Sequence, residues 1–521
     1  MAFPTAKRGY LFFTALAALL AALISLRQTL SAKPERPPPV IGKNNTVLFV
    51  TNVEHGLSNV HVATVFSLLE HHPEITVHFA SWAKIRPKID RISAYARRLT
   101  PQSRNVVFHE LPPPNFYDAA GKTSLAIMQP PGIEGLKALN DDMALFISPW
   151  TVEDHLEIHD SVRDLIRDVD PALVVLDMFV RPGMDATRGD NRLHAVLSPN
   201  VLADIFIGDQ SWLGGFWKYP AIGSGHSFPV AWRDIPSNIY QTAAFVWGML
   251  YNAELNEKRK SLASHGLKDP IDFFNIHLPG PGAFITQDTA GASIPIDYVP
   301  PNVTVTGPIT ISVASAEEQD PELAAWLERA PTVMVNLGSL MEYDAARARP
   351  MAAALKAMLE RTGVQALWKL NRAEDLKDED WRPLVEEFIA SDRLRVSRWL
   401  TVDPAALLET GNIVASVHHG GANCYHEAIA AGVPHLILPG WLDLYNYAAR
   451  VEVIDIGVWG NRKTAPGFSV DELSSAFLKL VDGGPAGVLM AENAKKIRRT
   501  LVRPGRDVAA DEIARLAAWG H

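Results

Sequence analysis

The stretch IVASVHHGGANCYHEAIAAGVP, residues 413–434, decides the fold that we expect for this chain. It begins with a short apolar, β-branched run, passes through Gly420 and Gly421, and continues as a helical pattern that Gly432 closes. A strand, a glycine turn and a helix start are typical of a parallel α/β sheet, and the free N–H groups at the helix start favour an anion. The stretch therefore predicts a parallel sheet with a site suited to a diphosphate.

Three side chains in this stretch have the chemistry of a nucleotide site. His419 can donate to a phosphate oxygen, Asn423 can cap the helix, and Glu427, one turn further in, can accept from ribose hydroxyls. The two glycines let the backbone approach a ligand closely. Taken alone, these residues are equally compatible with an ordinary strand-to-helix turn that has a Gly-Gly hinge.

The same alternation of apolar runs and amphipathic helical patterns extends over most of the chain, in two series. The first has predicted strands at 46–51, 75–81, 106–111, 173–177 and 194–197, and the second at 332–336, 364–370, 394–397, 413–417 and 435–438. We therefore predict two doubly wound α/β domains, at 46–312 and 313–485. Helices in 486–521 are expected to pack back on the first domain.

Composition excludes several classes of protein. The 521 residues are enough for two large domains, and 47% hydrophobic with 21% charged residues is an ordinary globular composition. The formal net charge of −9 provides no basic field, so nucleic acid is excluded as a partner. Cys424 is the only cysteine, so an intramolecular disulfide framework is excluded as well.

The N-terminal region has the pattern of a membrane segment. Residues 9–28, largely uncharged and apolar, are predicted to be a transmembrane anchor, with 1–8 as a cytosolic or lumenal tip; a cleaved signal peptide is the alternative. A Pro-rich linker follows at 29–45. We expect a single-pass protein of the endoplasmic reticulum or another endomembrane, in an orientation that the balanced flanking charges leave open. Sequons at Asn44 and Asn302 matter only if the domain is lumenal.

The segment from Trp399 to Tyr447 resembles the signature of the UDP-glycosyltransferases, a family with the GT-B fold of two Rossmann-like domains facing across a cleft. The matching residues are Trp399, His418 to Gly421, Asn423, Glu427, Gly432 to Pro434 and Pro439 to Asp443. By this resemblance Trp399 stacks on uracil, His419 with Gly420 and Gly421 holds the diphosphate, Glu427 holds the ribose, and Trp441 and Asp443 hold the sugar. Gly338 and Ser339 resemble a turn near the phosphates.

Two departures from the family pattern concern the sugar. Ala422 and Cys424 stand where many members have Trp and Ser, and Leu444 stands where many have a Gln after the Asp. We keep Cys424 among the donor-binding residues, but the missing amide leaves the sugar unsettled, with glucose as the expected one. The run Leu442 to Tyr447 resembles a fungal branch of the family.

Transfer to a hydroxyl needs a base, and the resemblance assigns that role to His55, with Asp177 orienting it and Asp185 as the fallback. A loop or helix-capping histidine and a structural strand-end carboxylate are the simpler interpretations. We predict an inverting reaction without a metal ion or cofactor. Aromatic residues at 206–217 and 228–232 point to a small lipophilic acceptor. The alternatives are a nucleotide-sugar epimerase-like enzyme and a non-catalytic protein that recruits a partner to the membrane.

Overall fold

The computed structural model describes residues 37–272 and 282–521, and within them Ile41–His521 form one compact unit. The predicted tip at 1–8, the predicted anchor at 9–28 and most of the predicted linker lie outside the described residues. Among the helices that are described, none combines the length and the apolar character needed to cross a membrane.

The first half of the compact unit is built on a parallel sheet of seven described strands in the order β3-β2-β1-β4-β5-β6-β7. The strands are β1 (Lys43–Val50), β2 (Thr76–Ser81), β3 (Val107–Glu110), β4 (Pro171–Leu176), β5 (His194–Ser198), β6 (Phe284–Thr286) and β7 (Val303–Val305). The sequence patterns predict the first five. The last two have three residues each, too few to show a period.

The second half is built on a parallel sheet of six described strands in the order β10-β9-β8-β11-β12-β13. The strands are β8 (Thr332–Asn336), β9 (Gln365–Lys369), β10 (Leu394–Ser397), β11 (Ile413–His418), β12 (His435–Ile437) and β13 (Gly457–Trp459). In each sheet the chain starts near the middle and reverses its direction of growth, which creates a crevice at the carboxyl ends of the strands.

Helices cover both faces of the two sheets. In the first half they are α1 (His55–His71), α2 (Arg86–Leu99), α3 (Phe116–Ala120), α4 (Ile133–Asp141), α5 (Met143–Ile147), α6 (Val152–Val169), α7 (Arg181–Gly189), α8 (Leu202–Ile205), α9 (Gly214–Trp217), α10 (Ile235–Tyr251) and α11 (Ala253–Ser264). The second half contains α12 (Ala316–Gln319), α13 (Pro321–Leu327), α14 (Ala345–Arg361), α15 (Glu386–Ala390), α16 (Pro404–Glu409), α17 (Ala422–Ala431), α18 (Leu444–Val453) and α19 (Val470–Val481). The final helices are α20 (Pro485–Arg498) and α21 (Gly505–Ala517).

Local sequence explains why these elements form where they do. All six residues of β4 are buried, as expected for a central parallel strand covered on both faces. Helix α6 begins at a capping box, in which Thr151 and Asp154 exchange hydrogen bonds, and it buries Ile158, Val162 and Ile166 along one face. The strands thus bring apolar cores to both sheets and leave their carboxyl ends facing the crevice.

The two last helices pack in different places. Helix α20 contacts α17 and α19 of the second half, whereas α21 returns to the first half and packs on α1, β1 and β4. Residues 486–521, expected as a whole to pack on the first domain, thus contribute α20 to the second half and α21 to the first. The last strand of the first sheet ends at Val305 and the first strand of the second begins at Thr332.

Candidate active site

A cavity of about 670 Å³ lies in the crevice between the two sheets. Its walls come from the turns that follow strands of both sheets, which is where ligands of open α/β sheets bind. The lining contains eleven of the predicted site residues: His55, Gly338, Ser339, Trp399, His419, Gly421, Asn423, Cys424, Glu427, Trp441 and Asp443. Gly420 is buried beside them, against Ile437 and Leu444. Asp177 is not in the lining.

The turn after β11 is built around the imidazole of His419. A Cβ atom on Gly338 or on Gly421 would lie 2.5 Å from an atom of that ring, so both positions exclude a side chain. Burial lowers the pKa of His419 to about 4, and the positive charge of Lys369 lowers it further, so the ring is neutral. Its Nδ1 is buried, and no described residue forms a hydrogen bond with it. The site therefore holds one fixed, unused imidazole nitrogen beside the start of α17.

A second histidine supports this turn from behind. The Gly420 N–H donates to Nδ1 of His418, at 3.1 Å, so the proton of His418 lies on Nε2 and is donated to Nδ1 of His435, at 3.0 Å. Burial lowers the pKa of His418 well below its ordinary value, and His435 and His419 lower it further. A neutral histidine pair thus fixes Gly420, which has a φ of +96°.

The resemblance does not include Lys369, at the end of β9, yet this residue is central to the cavity. Its ammonium is buried, donates to the Gly338 carbonyl at 2.8 Å and lies 3.6 Å from the centre of the Trp399 ring. Burial lowers the pKa of Lys369 to about 8, and Cys424 and Glu427 raise it again. Among the described residues no carboxylate forms an ion pair with this ammonium, so it offers positive charge to a ligand. Its signal in the sequence is a lysine at the end of an otherwise apolar strand.

The predicted nucleoside residues lie at the mouth of the cavity. Trp399 follows β10 with half of its surface exposed, and its ring centre is 5.4 Å from that of His55. Glu427 is buried on α17 and faces the cavity. Burial raises the pKa of Glu427 to about 8, while Lys88 and Lys369 oppose that rise. The protonated carboxyl group donates one hydrogen bond and keeps part of its acceptor capacity, and once ionised it only accepts.

The predicted sugar residues come from the turn between β12 and α18. The Trp441 ring is buried 5.9 Å from His419, and Asp443 precedes α18. Burial raises the pKa of Asp443 to about 7, and the carboxylate of Asp204 on α8 raises it further. Burial also raises the pKa of the Cys424 thiol, which therefore stays protonated. Cys424 contributes a thiol, and not a nucleophile, to the wall.

Asn423 was predicted to cap the donor helix, and that prediction is wrong. Gly421 is the N-cap of α17, and Asn423 lies inside the first turn. Its amide nitrogen instead crosses the cleft and donates to the carbonyls of His55 and Gly56, at 2.9 and 3.1 Å. Its amide oxygen accepts from Gln287 at 3.2 Å. Glycine occupies the N-cap position because the backbone of Gly421 lies too close to His419 for a side chain. The Asn423 side chain is therefore free to bond across the cleft and connect the two halves.

His55 is the first residue of α1 and is reachable from the cleft. Its Nδ1 lies 3.5 Å from Nζ of Lys88, which also donates to the Asn59 side chain. Desolvation by the cleft walls lowers the pKa of His55 to about 3; the charges of Lys88, Lys369 and Lys84 lower it further, and a hydrogen bond with Asn59 opposes this. The imidazole is therefore neutral and able to take up a proton.

The structure does not join His55 to Asp177. Asp177 is buried after β4, and its carboxylate accepts from the backbone N–H groups of Asn52 at 3.2 Å and Phe179 at 2.9 Å. The fallback Asp185 on α7 accepts from Nε2 of the buried His155 at 3.0 Å. Within the described residues no hydrogen bond links either carboxylate to His55. The strand-end position predicted a functional carboxylate, and two backbone N–H groups hold it in place after β4.

Glu54, the residue before His55 in the chain, is a carboxyl group that lines the cavity. The sequence analysis assigned it no role. It is buried at the N-cap position of α1 and accepts from the Tyr117 N–H at 3.3 Å, while its Oε2 has no partner among residues 37–272 and 282–521. Burial raises the pKa of Glu54 to about 7, and the charge of Asp177 raises it further. Its position directly after the first strand was the available signal.

The wall of the cavity opposite the predicted donor residues is apolar, but it is formed by other residues than the predicted ranges 206–217 and 228–232. Phe116, Ile127, Leu145, Phe146 and Phe179 form this wall, whereas no residue between 206 and 272 lines the cavity. These five residues come from α3, α5 and turns that carry no local motif. The described residues contain no group of three or more His, Cys, Asp or Glu side chains placed to hold a metal ion.

Two facing parallel α/β sheets, with a glycine turn and a helix start in the crevice between them, are the architecture of the GT-B class. A family model described as UDP-glucoronosyl and UDP-glucosyl transferase matches residues 279–483. Glycosyltransferase sdnJ of Sordaria araneosa is 36% identical over 464 residues, which are 86% of this chain and 90% of that protein. The chain belongs to this family and is a UDP-sugar-dependent glycosyltransferase.

Solved structures of plant enzymes share the fold. A UDP-glucosyltransferase from Polygonum tinctorium gives a TM-score of 0.60 at 17% identity, covering 93% of this chain and 99% of that one. Os79 from O. sativa gives a TM-score of 0.59 at 15% identity, covering 90% and 100%. The GT-B prediction is thereby confirmed for the described residues.

Proposed function

We propose that this enzyme transfers a hexose, glucose being the first choice, from its UDP-sugar to a hydroxyl group of a small lipophilic acceptor. The supporting observation is that the cavity has one polar, charged wall and one apolar wall. One wall carries the unused nitrogen of His419, the ammonium of Lys369 and the carboxyl of Glu427, and the other wall is formed by aromatic and aliphatic side chains. A charged donor and an apolar acceptor fit such a pair of walls.

In the proposed reaction His55 takes the proton of the acceptor hydroxyl, and the oxygen forms a bond to the anomeric carbon as the bond to UDP breaks. Attack from the side opposite the leaving group inverts that carbon. The charge that develops on UDP is stabilised by the His419 N–H, Lys369 and the N-terminus of α17. No metal ion or cofactor takes part in this proposal.

In this scheme the binding of the donor also changes the pKa of His55, because lysine charges surround that residue. They contribute to the low pKa of the free base, of about 3. An anionic diphosphate beside Lys369 offsets part of that positive charge, so it raises the pKa of His55 and makes the base stronger. The proposal therefore includes donor binding before acceptor binding.

The experiment is incubation of the purified enzyme with UDP-glucose, UDP-galactose or UDP-glucuronate and a panel of sterol, terpenoid and polyketide alcohols. Mass spectrometry is expected to detect one hexose added, NMR to give the inverted anomer, and EDTA to leave the rate unchanged. Conversion of the UDP-sugar without an acceptor would support the epimerase alternative and contradict this proposal. Among solved relatives, the P. tinctorium enzyme is described as glucosylating indoxyl and Os79 is described in complex with a trichothecene.

We also propose that the enzyme is held at the endoplasmic reticulum or another endomembrane by residues 9–28. The support is the uncharged apolar run in that range. Carbonate extraction of membranes from the producing cells is the test. Retention of the chain in the pellet is expected, and its release into the supernatant would contradict the proposal.

A further inference from the structure

Helix α10 buries two polar side chains and exposes three large aromatic ones, the reverse of what is usual for a helix in water. It has 17 residues and no charged one. Its buried residues are Asn238, Gln241 and Met249, while Tyr240, Trp247 and Tyr251 are exposed. A surface helix of a globular protein normally buries the apolar face and exposes the polar one. The inversion indicates that an apolar phase contacts the outer face.

Hydrogen bonds fix the orientation of α10. The Asn238 side chain accepts from the Ala221 N–H at 2.7 Å and donates to the carbonyls of Phe216 and Tyr219, at 2.9 and 2.8 Å. Gln241 donates to the Ser237 hydroxyl of the same helix at 3.0 Å. A rotation of the helix that buried its aromatic residues would break the three bonds of the Asn238 amide, which is costly in a protein interior. The outward aromatic face is therefore a defined feature of the fold.

The exposed aromatic residues form one line along α10, which we call the α10 stripe: Tyr240, Trp247 and Tyr251. Positions i, i+7 and i+11 lie on the same side of a helix. The three residues are 57%, 65% and 61% exposed, and the rings of Trp247 and Tyr251 are 4.2 Å apart. No polar side chain of α10 covers the stripe.

The chain that packs on α10 exposes tryptophan as well. Trp212 and Trp232 are 87% and 85% exposed, and the Trp217 indole N–H donates to the Trp212 carbonyl. Trp212 and the next residue, Leu213, have φ angles of 56° and 55°, a region that bulky residues avoid. The backbone thus holds a large indole in solvent through a strained conformation.

We propose that the α10 stripe and these flanking tryptophans form a surface that docks in the interfacial region of a lipid bilayer. Tryptophan and tyrosine favour the headgroup level, where the ring is in an apolar setting and its polar atom stays hydrated. The sequence itself carries an uncharged apolar run at 9–26. The residues from there to Ile41 extend by at most about 50 Å, so a bilayer that holds this run would stay within that distance of Ile41.

This surface lies one short helix away from the cavity. Met249 and Phe245 of α10 pack with Met143 and Ile147 of α5, and the neighbouring Phe146 lines the acceptor wall. A docked α10 would bring the acceptor entrance close to the bilayer, from which a lipophilic acceptor could enter. This part of the inference rests on the proposed function, whereas docking itself does not.

The test uses residues 37–521, which contain both sheets and the hydrophobic clusters of the compact unit together with the α10 stripe. Without a donor or an acceptor, the protein is mixed with phosphatidylcholine vesicles and floated on a density gradient. The parent protein is expected to float. The variant W247E/Y251E is expected to lose about tenfold in partition coefficient, because two interfacial aromatic side chains become carboxylates. The matched control is W519E, which changes an exposed tryptophan after α21.

A second measurement needs no variant, in case W247E/Y251E does not fold. Brominated phosphatidylcholine is expected to quench the tryptophan fluorescence of the parent protein. Absence of both flotation and quenching, or equal losses in W519E and W247E/Y251E, would overturn the proposal. A concentration-dependent dimer that W247E/Y251E abolishes would assign the surface to a second copy and overturn it too. Since no sugar transfer is measured, a failed transfer assay leaves these results unaffected.

Discussion

The two walls of the cavity differ in how they are built. The donor wall comes largely from one continuous stretch, in which Trp399, His419, Glu427 and Asp443 follow β10, β11 and β12, three strands that are consecutive in the sequence. The acceptor wall is assembled from α3, α5 and turns that are far apart in the sequence, and no motif marks them. Residues whose role needs a fixed backbone are therefore close together in the sequence, whereas residues that shape an apolar surface are spread along it.

The proposed base, His55, lies between the two walls, and its removal should have the largest effect. We expect His55→Ala to lower kcat by about 10²–10⁴-fold, because general base catalysis is lost. The dissociation constant for the UDP-sugar, measured by calorimetry, should stay the same. The matched control is His71→Ala, at the other end of α1. Unchanged turnover would remove His55 from the mechanism.

A methyl group at Gly421 tests the geometry of the donor wall alone. The added Cβ would lie 2.5 Å from Nε2 of His419 and displace the ring. We expect Gly421→Ala to raise KM for the UDP-sugar by about tenfold or more, as overpacking of a fixed site typically costs 1–3 kcal/mol. Gly363→Ala is the control, since nothing lies within 4 Å of its added Cβ. Equal KM values in the two variants would contradict the packing argument.

Replacement of Lys369 tests the electrostatic part of the donor wall. Since the pKa of Lys369 is about 8, its positive charge is present below that pH and is lost above it. The affinity of the parent enzyme for UDP should therefore fall as the pH rises through about 8. We expect Lys369→Met to bind UDP about tenfold more weakly below pH 8 and to lose this pH step.

Glu427 titrates in the same range as Lys369, with a pKa of about 8. Calorimetry on Glu427→Gln separates the two contributions, since this variant keeps the lysine. A pH step that survives in Lys369→Met but disappears in Glu427→Gln would assign the step to the carboxyl group.

The smallest effect is expected at Glu54, on the acceptor side. The Glu54 pKa of about 7 means that its negative charge appears as the pH rises through 7, and a carboxylate beside His55 stabilises the imidazolium formed by proton transfer. We expect kcat of the parent enzyme to rise through pH 7 by about threefold to tenfold, and Glu54→Gln to flatten this profile. An unchanged profile would exclude Glu54 as the group that acts on His55.

Periodicity predicted most of the fold, and the reasons for its failures are physical. Strands such as β4 and β11 are long apolar runs, because both of their faces are covered. The three-residue strands β6, β7 and β13 are held by their neighbours in the sheet and have no pattern of their own. Helix α10 has no amphipathic pattern for another reason, since it buries Asn238 and Gln241 and exposes Tyr240, Trp247 and Tyr251.

The predicted donor residues line one cavity because their positions depend on the local turn geometry. Asp177 and Asn423 were assigned by position, but hydrogen bonds with distant backbone decide what each side chain does. Glu54 and Lys369 were missed because their importance comes from burial beside other charges, which only the assembled cleft creates. The local sequence pattern thus predicts the backbone of the turns, whereas the pKa values of the side chains depend on how the whole cleft is packed.

The return of α21 brings the end of the chain back to the start of the first sheet. The Asn44 N–H donates to the His521 carbonyl, and the His521 N–H donates to the Gly42 carbonyl, both at 3.1 Å. Parallel strands all run from this edge toward the cleft, so the carboxyl terminus lies on the side of the sheet away from the cavity. An enzyme immobilised through a flexible extension after His521 would therefore present its cleft to the solution, which suits solid-phase screening for its acceptor.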